Sequence, residues 1–278
     1  MQTRGVRPWL QQQMARGRLH VTREELMAAF PASSKTALSQ AISRAAADKL
    51  IAIGWKGFYL LLPPAYANRK TLPPSLYIDA LMQYLGKPYC VGLLNAAEMY
   101  GAAHQRPLQY AVMTSNPPPR ARTQGLTRLI FVAKREFNEG VPAELINRIK
   151  VQTGYISVTT PEVTALSLIQ YNKVAGGLSQ VVTVLEELME ACHFEQLSPV
   201  VFRYFPLSCL QRLGYIVEHV LRNEEQAEKI LDFLKQNNIK YLQASPLSTG
   251  IPVKKDTPMD KKWRIFLNTE LKSDFDDT

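Results

Sequence analysis

The sequence predicts an α+β protein: an N-terminal winged helix-turn-helix domain over residues 1–70, then a larger, mixed α/β and helix-rich C-terminal domain over residues 71–278. Three observations predict this organisation. The chain of 278 residues exceeds one ordinary core of about 150 residues. Its first elements follow the order of three helices and a hairpin, and its charge is uneven. Residues 1–70 hold 11 Lys and Arg against 3 Asp and Glu, whereas residues 71–278 hold 22 against 21.

This uneven charge is typical of a polyanion-binding module joined to a nearly neutral body. Nucleic acid is the commonest polyanion partner of such a module. The alternative is a basic surface that is only solvated.

Three helices are predicted in the first 50 residues. The first covers residues 6–15. Thr22, with Glu25 three residues later, forms a capping box that begins the second helix, which ends at Pro31. The third begins at residue 33 or 34 and runs to about residue 49.

The third helix has one apolar and one polar half at about 100° per residue. The polar half consists of Lys35, Thr36, Ser39, Gln40, Ser43 and Arg44. An ordinary solvated face would carry paired Glu and Lys, but here no carboxylate occurs before Asp48. Hydroxyls, an amide and two cations suit the major groove of DNA, where Gln pairs with adenine and Arg with guanine.

A β-hairpin is predicted over residues 50–62, with a Gly-flanked turn that places Lys56 at its tip. Three helices followed by a hairpin is the winged-helix order. Trp55 either reaches the tip or covers the small core. Residues 63–74 read as a stiff, basic linker. The DNA-binding candidates are completed by four further cations: Arg18, Arg23, Arg69 and Lys70.

The C-terminal region predicts alternating helices and strands. Helices are expected over residues 77–85, 91–100, 161–171, 178–191, 206–220 and 224–236, and strands over residues 109–114, 129–132, 155–158 and 263–267. Thr160, Pro161 and Glu162 supply the capping hydroxyl, the early proline and the first-turn acid of one helix.

Motifs of enzyme chemistry are not found. The four histidines lack metal-ligand spacing, and no phosphate-binding glycine loop or nucleophile elbow occurs. Cys90 and His104 are a possible nucleophile and base, but a buried structural cysteine is far commoner. Arg106, Arg120 and Arg122 either bind phosphate or lie in a solvated loop. We therefore expect no catalytic residues, no metal and no cofactor.

The composition also indicates the compartment. Cys90, Cys192 and Cys209 form no CxxC pair, so reduced thiols are expected. No segment approaches the roughly 18 uninterrupted apolar residues of a membrane span, and the N-terminus lacks an apolar signal core. We expect a soluble, cytoplasmic protein without a membrane partner.

Four segments resemble the AbiEi antitoxins of bacterial type IV toxin-antitoxin systems. They are residues 89–105 (YCVGLLNAAEMYGAAHQ), 160–166 (TPEVTAL), 175–178 (AGGL) and 211–215 (QRLGY). Their order and spacing, more than any single motif, carry the resemblance. The sequence departs from the family pattern at Cys90, Tyr100 and Ser167, where Tyr, His and Asp are usual, so a function that needs a carboxylate at residue 167 is not implied.

The resemblance implies an autorepressor that binds inverted repeats in double-stranded promoter DNA through its N-terminal domain. It also implies a C-terminal domain that counteracts a nucleotidyltransferase toxin without a stable complex. Two alternatives stay open: a transcriptional regulator without a toxin, and a nucleic-acid-processing enzyme that its winged helix targets.

Overall fold

The computed structural model describes residues 5–102, 108–239 and 242–271, so His104 and Arg106 lie outside the described residues. The described chain is a mixture of helices and strands, as the predicted α+β class requires. It divides into two units. Unit 1 comprises Met1–Tyr89, Leu108–Ala133 and Arg148–Ser157, and unit 2 comprises Cys90–Pro107, Lys134–Asn147 and Val158–Thr278.

Unit 1 begins with three helices and a three-stranded antiparallel sheet. The elements are α1 (Val6–Ala15), β1 (His20–Thr22), α2 (Arg23–Ala29), α3 (Lys35–Ala47), β2 (Ile51–Trp55) and β3 (Phe58–Leu61). The strand order is β1-β3-β2, with His20 opposite Leu60 and Ile51 opposite Leu61. The helices and the hairpin agree with the sequence prediction. Strand β1 was not predicted, because three residues are too short for a periodic signal.

The helix starts of unit 1 follow from side-chain caps. Thr22 Oγ1 accepts a hydrogen bond from the Glu25 N–H at 3.2 Å, and Glu25 Oε2 accepts one from the Thr22 N–H at 2.8 Å, which is the predicted capping box. Ser34 Oγ accepts from the Ala37 N–H at 3.1 Å and begins α3. These helices and the sheet enclose a core of eight buried residues: Leu10, Val21, Leu26, Ile42, Ala45, Ile51, Tyr59 and Leu61.

The remaining elements of unit 1 follow the β2–β3 hairpin in the chain. Its elements are α4 (Pro64–Ala67), α5 (Ile78–Tyr84), β5 (Gln109–Thr114), β6 (Arg122–Gln124) and β7 (Thr127–Ala133). Strand β7 pairs in parallel with β5 and antiparallel with β6. The stretch that we predicted to be a linker instead contains α4, and Leu72 and Pro74 are buried. Because Leu72 and Pro74 are buried, this segment is packed against the protein and is not an open linker.

Unit 2 is rich in helices. These are α6 (Leu93–Met99), α7 (Pro161–Gln170), α8 (Leu178–Leu188), α9 (Val201–Tyr204), α10 (Leu207–Tyr215) and α11 (Glu224–Gln236). Helix α7 is buried over residues 161–169 and forms the centre of the unit. Residues 216–220, predicted to continue α10, form a π-helical turn.

Strands β4 (Tyr89–Val91), β8 (Ile146–Val151) and β9 (Gly154–Thr159) contain residues of both units. Val91 pairs in parallel with Val158. The predicted helix over residues 91–100 therefore begins two residues later, after Gly92, because the preceding apolar run is a buried strand. Strands β10 (Ser245–Pro246), β11 (Met259–Asp260) and β12 (Ile265–Phe266) form a small sheet of order β10-β12-β11.

All three cysteines are buried and free. Within the described ranges, every helix is too short or too polar to cross a membrane.

Candidate nucleic-acid interface

Helix α3 presents the polar half that the sequence predicted. Its apolar side buries Leu38, Ile42 and Ala45. All six candidate side chains on the opposite half are exposed: Lys35, Thr36, Ser39, Gln40, Ser43 and Arg44. The exposed face thus offers two cations, three hydroxyls and one amide, a set that matches base edges and phosphates.

The turn between β2 and β3 holds Lys56 at its tip, exposed. Gly57 adopts φ 81°, a conformation that favours glycine. The Tyr84 hydroxyl donates to the Lys56 carbonyl oxygen at 3.0 Å. A Cβ at Gly57 would collide with that hydroxyl. Tyr84 therefore holds the turn in place and leaves the Lys56 ammonium free to reach a partner.

A groove of about 230 Å³ separates α3 from this hairpin. Its rim carries the cations Arg23, Lys35 and Lys56. Its lining is completed by Leu26, Met27, Leu38, Ser39, Ile42, Ser43, Ile53, Gly57 and Tyr59. A groove with cations at its edges and apolar side chains between them suits the backbone of a nucleic acid. The phosphates can contact the cations, and the apolar C–H groups of the sugars can contact the apolar side chains.

The remaining predicted cations differ in availability. Arg23, Arg69 and Lys70 are exposed. Arg18 is half-buried, and its guanidinium forms an ion pair with Glu25 and a hydrogen bond to Gln13 Oε1 at 3.2 Å. Its charge is therefore already matched inside the protein, so it is the weakest of the eleven candidates.

This ion pair also shapes the local electrostatics. Burial lowers the pKa of His20, and the nearby Arg18 charge lowers it further. Burial raises the pKa of the Glu25 carboxyl, but the Thr22 N–H and Arg18 together outweigh burial and hold that pKa below its usual value. At neutral pH, Glu25 is thus the ionised partner that keeps Arg18 in place.

Trp55 packs rather than projecting from the hairpin tip. It is half-buried, its ring meets Phe131 of β7 edge-on at 5.9 Å, and the Arg122 guanidinium lies 5.8 Å from its ring centre. Trp55 therefore fits neither of the two interpretations: it does not project from the tip, and it packs against β7 instead of covering the small N-terminal core.

Strand β6 lies beside this surface and was not predicted from the sequence. Arg120 and Arg122 were expected in a loop, and Gln124 and Arg128 were not predicted to take part in a surface. The available signal was Gly125 between β-prone Thr123 and Thr127, which is typical of a tight hairpin.

Within the described part of the chain, the candidate residues for enzyme chemistry form no metal site. Among the described residues, no group of three or more His, Cys, Asp or Glu side chains could hold a metal ion. Burial raises the pKa of the Cys90 thiol to about 12, so this thiol stays protonated at neutral pH. His104, its proposed base, lies outside the described residues.

Comparison with a solved structure supports the fold. The crystal structure of RV2827C protein from Mycobacterium tuberculosis matches 92% of this chain and 88% of that chain, with a TM-score of 0.64 and 14% sequence identity. The solution structure of the antibiotic-resistance factor ANT(2'')-Ia matches 45% of this chain and 87% of that chain at 9% identity, and its TM-score of 0.33 is too low to carry an argument. Among curated proteins, none matches the sequence.

Together, fold and surface define a two-unit α+β protein with an exposed helix face of cations, hydroxyls and an amide. Residues 90–219 match the family model of the AbiEi antitoxin C-terminal domain. Residues 90–219 therefore form an AbiEi antitoxin domain, and this match confirms the resemblance found in the sequence. Such a domain supports a type IV antitoxin role and implies a toxin as functional partner.

Proposed function

We propose that this protein is a sequence-specific DNA-binding autorepressor and a type IV antitoxin that counteracts a nucleotidyltransferase toxin. In this proposal the first 70 residues are a winged helix-turn-helix that binds inverted repeats in double-stranded promoter DNA. The C-terminal domain supplies antitoxicity, and the protein acts in the cytoplasm without catalysis or a cofactor.

The observation that carries the DNA-binding part is the exposed half of α3. Six adjacent side chains can donate or accept hydrogen bonds, and all six are exposed on a helix whose other half is anchored in the core. A rigid helix with such a face fits the major groove, which is wide enough to admit an α-helix. Gln40 and Arg44 are the residues that we assign to base contacts.

The hairpin and the groove supply the contacts that are independent of sequence. Lys35, Arg23 and Lys56 surround the groove between α3 and the hairpin. The phosphate backbone of one DNA strand, at the edge of the major groove, would lie along this protein groove while α3 contacts the bases. Arg69 and Lys70 add two exposed cations. Such contacts position the protein and make its affinity depend on salt.

The antitoxin part is supported by the family of residues 90–219. It needs no stable complex, because a type IV antitoxin opposes the effect of the toxin. The absence of a described catalytic cluster is compatible with this role, but the role depends on the family and not on that absence.

The test uses the full chain and its own promoter. Fluorescence anisotropy should show tight binding to promoter DNA and much weaker binding to random DNA of equal length, and a promoter reporter should be repressed. Co-expression with the neighbouring nucleotidyltransferase should restore growth. Failure to bind promoter DNA even at low salt would overturn the repressor role, and absence of growth rescue would overturn the antitoxin role.

A further inference from the structure

Unit 1 holds a second hairpin, β6–β7, beside the β2–β3 hairpin. The Gln124 side chain joins the two. Its Nε2 group donates to the carbonyl oxygens of Gly54 at 2.8 Å and Ile53 at 3.3 Å, and its Oε1 accepts from the hydroxyls of Thr71 at 3.2 Å and Tyr77 at 3.4 Å. One side chain thus fastens β6 to the edge of β2 that is not paired with β3.

The two hairpin turns lie at opposite ends of β2. Arg122 lies beside Trp55, whereas Gln124 lies beside Ile53 and Gly54, so β6 runs antiparallel to β2. The Gly125–Leu126 turn therefore lies at the beginning of β2, and the Lys56–Gly57 turn lies at its end. At about 3.4 Å per residue the turns are roughly 20 Å apart.

This arrangement places a turn near each end of α3. Strand β2 starts four residues after α3 ends, so the beginning of β2 is close to the C-terminal end of α3. The Gly125–Leu126 turn is at that level. A helix of 13 residues spans about 20 Å, which is similar to the separation of the turns.

Arginines without neighbouring carboxylates follow the second hairpin, from Arg120 at the end beside Trp55 to Arg128 near the Gly125–Leu126 turn. A Cβ added at Gly125 would lie 3.1 Å from the Arg69 carbonyl oxygen and 2.9 Å from Thr71 Cγ2, so the turn packs closely on the Arg69–Thr71 segment. Residues 108–133 contain Arg120, Arg122 and Arg128 and no Asp or Glu. Arg120 and Arg128 are exposed, and neither takes part in an ion pair with a described carboxylate.

An exposed leucine completes the surface. Leu126 is 92% exposed at the tip of the turn. The cations nearest to it are Arg128 and the Arg69–Lys70 segment. An apolar side chain that projects beside cations is a feature of proteins that press a wedge against the minor groove while Arg and Lys hold the phosphates. Charge alone favours a polyanion over a protein partner for this surface.

We infer that the β6–β7 hairpin is a second DNA-contacting element, in which Arg120 and Arg128 bind backbone phosphates and Leu126 lies against the minor groove. This inference rests on the proposed DNA-binding function and extends its interface into the region after residue 70. The two turns then hold the duplex near both ends of α3. The contacts of the second hairpin go to the backbone, so they carry affinity without base specificity.

The test measures how the affinity of the full-length protein for promoter DNA depends on salt. Each phosphate contact contributes about 0.9 to the slope of log affinity against log salt. The double variant Arg120→Ala/Arg128→Ala should lower the magnitude of the slope by about 1.8 for each bound protomer and leave the ratio of promoter to random binding unchanged. Hydroxyl-radical footprinting should show weaker protection of the DNA backbone in both half-sites of the inverted repeat. Leu126→Ala should weaken binding without changing the slope.

Two further variants make the result specific. Arg120→Lys/Arg128→Lys keeps both charges and should keep the slope, which separates charge from folding. Lys254→Ala/Lys255→Ala removes two exposed cations of unit 2 and should also keep the slope. If Arg120→Ala/Arg128→Ala leaves the slope unchanged while Lys56→Ala lowers its magnitude, this inference is wrong and the proposed function is unaffected. If no variant of α3 or of either hairpin alters binding, the proposed function fails as well.

Discussion

The Gln124 amide donates a hydrogen bond to the Gly54 carbonyl oxygen over 2.8 Å, between residues that are 70 positions apart in the chain. This bond ties the hairpin of the N-terminal elements to a strand that follows the apolar segment around Leu72. Cutting the chain at residue 70 would remove it, together with the contact of Trp55 with Phe131. Tests of the N-terminal elements are therefore best made in the full chain.

Replacing Gln124 by Ala should destabilise the protein. Two backbone carbonyls lose a donor, and the hydroxyls of Thr71 and Tyr77 lose an acceptor. Each of the four hydrogen bonds contributes about 0.5–1.5 kcal/mol net, so the free energy of unfolding should fall by at least about 2 kcal/mol in urea denaturation. Gln152→Ala, at an exposed position of the same unit, should change it by less than about 0.5 kcal/mol. Equal effects of the two changes would show that Gln124 does not fasten the hairpins.

Lys134 should make the free energy of unfolding depend on pH in the alkaline range. The side chain is buried, donates to Gln170 Oε1 at 3.0 Å and lies 4.1 Å from the centre of the Phe205 ring. Burial lowers its pKa from 10.5 to about 8. Between these values the unfolded chain holds a proton that the folded chain has lost, so this lysine makes stability rise with pH across that window. Below pH 8 the full cost of burying the charged Lys134 side chain, about 3 kcal/mol, lowers the free energy of unfolding.

Lys134→Met removes this cost and should raise the free energy of unfolding at pH 7 by about 1–2 kcal/mol, since Gln170 loses a donor in exchange. The advantage over wild type should shrink between pH 8 and pH 10, measured by urea denaturation with reductant present. Lys173→Met, an exposed control, should show neither effect. A difference between Lys134→Met and wild type that is equal at pH 7 and pH 10 would contradict the assigned cause.

The two proposed activities should be separable in the intact chain. Gln40→Ala/Arg44→Ala removes base contacts on an exposed helix face and leaves residues 90–219 unchanged, so repression should be lost while protection from the neighbouring toxin remains. A promoter reporter and toxin co-expression measure the two activities in the same cells. Lys254→Ala should preserve both. Loss of protection by a folded double variant would mean that antitoxicity needs DNA binding.

Much of the fold was predictable because local signals decide it. The capping box at Thr22 and Glu25, the apolar stripe of α3 and the glycine turn after Trp55 each specify an element through neighbouring residues. The exposed half of α3 was likewise predictable, because a helical period of 3.6 residues sets which side chains lie opposite the core.

The short strands were not predictable for the opposite reason. Strands β1 and β6 have three residues each and exist because partners distant in sequence pair with them. The apparent linker was misjudged because the burial of Leu72 depends on packing that composition does not reveal. The role of Gln124 has the same origin, since its four partners come from three separate segments of the chain.

The most direct test of the central claim compares three single variants on promoter DNA and on random DNA. Gln40→Ala and Arg44→Ala should each cost about 1–3 kcal/mol of binding free energy on the promoter and little on random DNA, because a base contact is lost. Lys56→Ala should weaken binding to both DNAs alike, because it removes a phosphate contact. Equal losses on both DNAs for all three variants would contradict the account, since α3 would then follow the phosphate backbone without reading sequence.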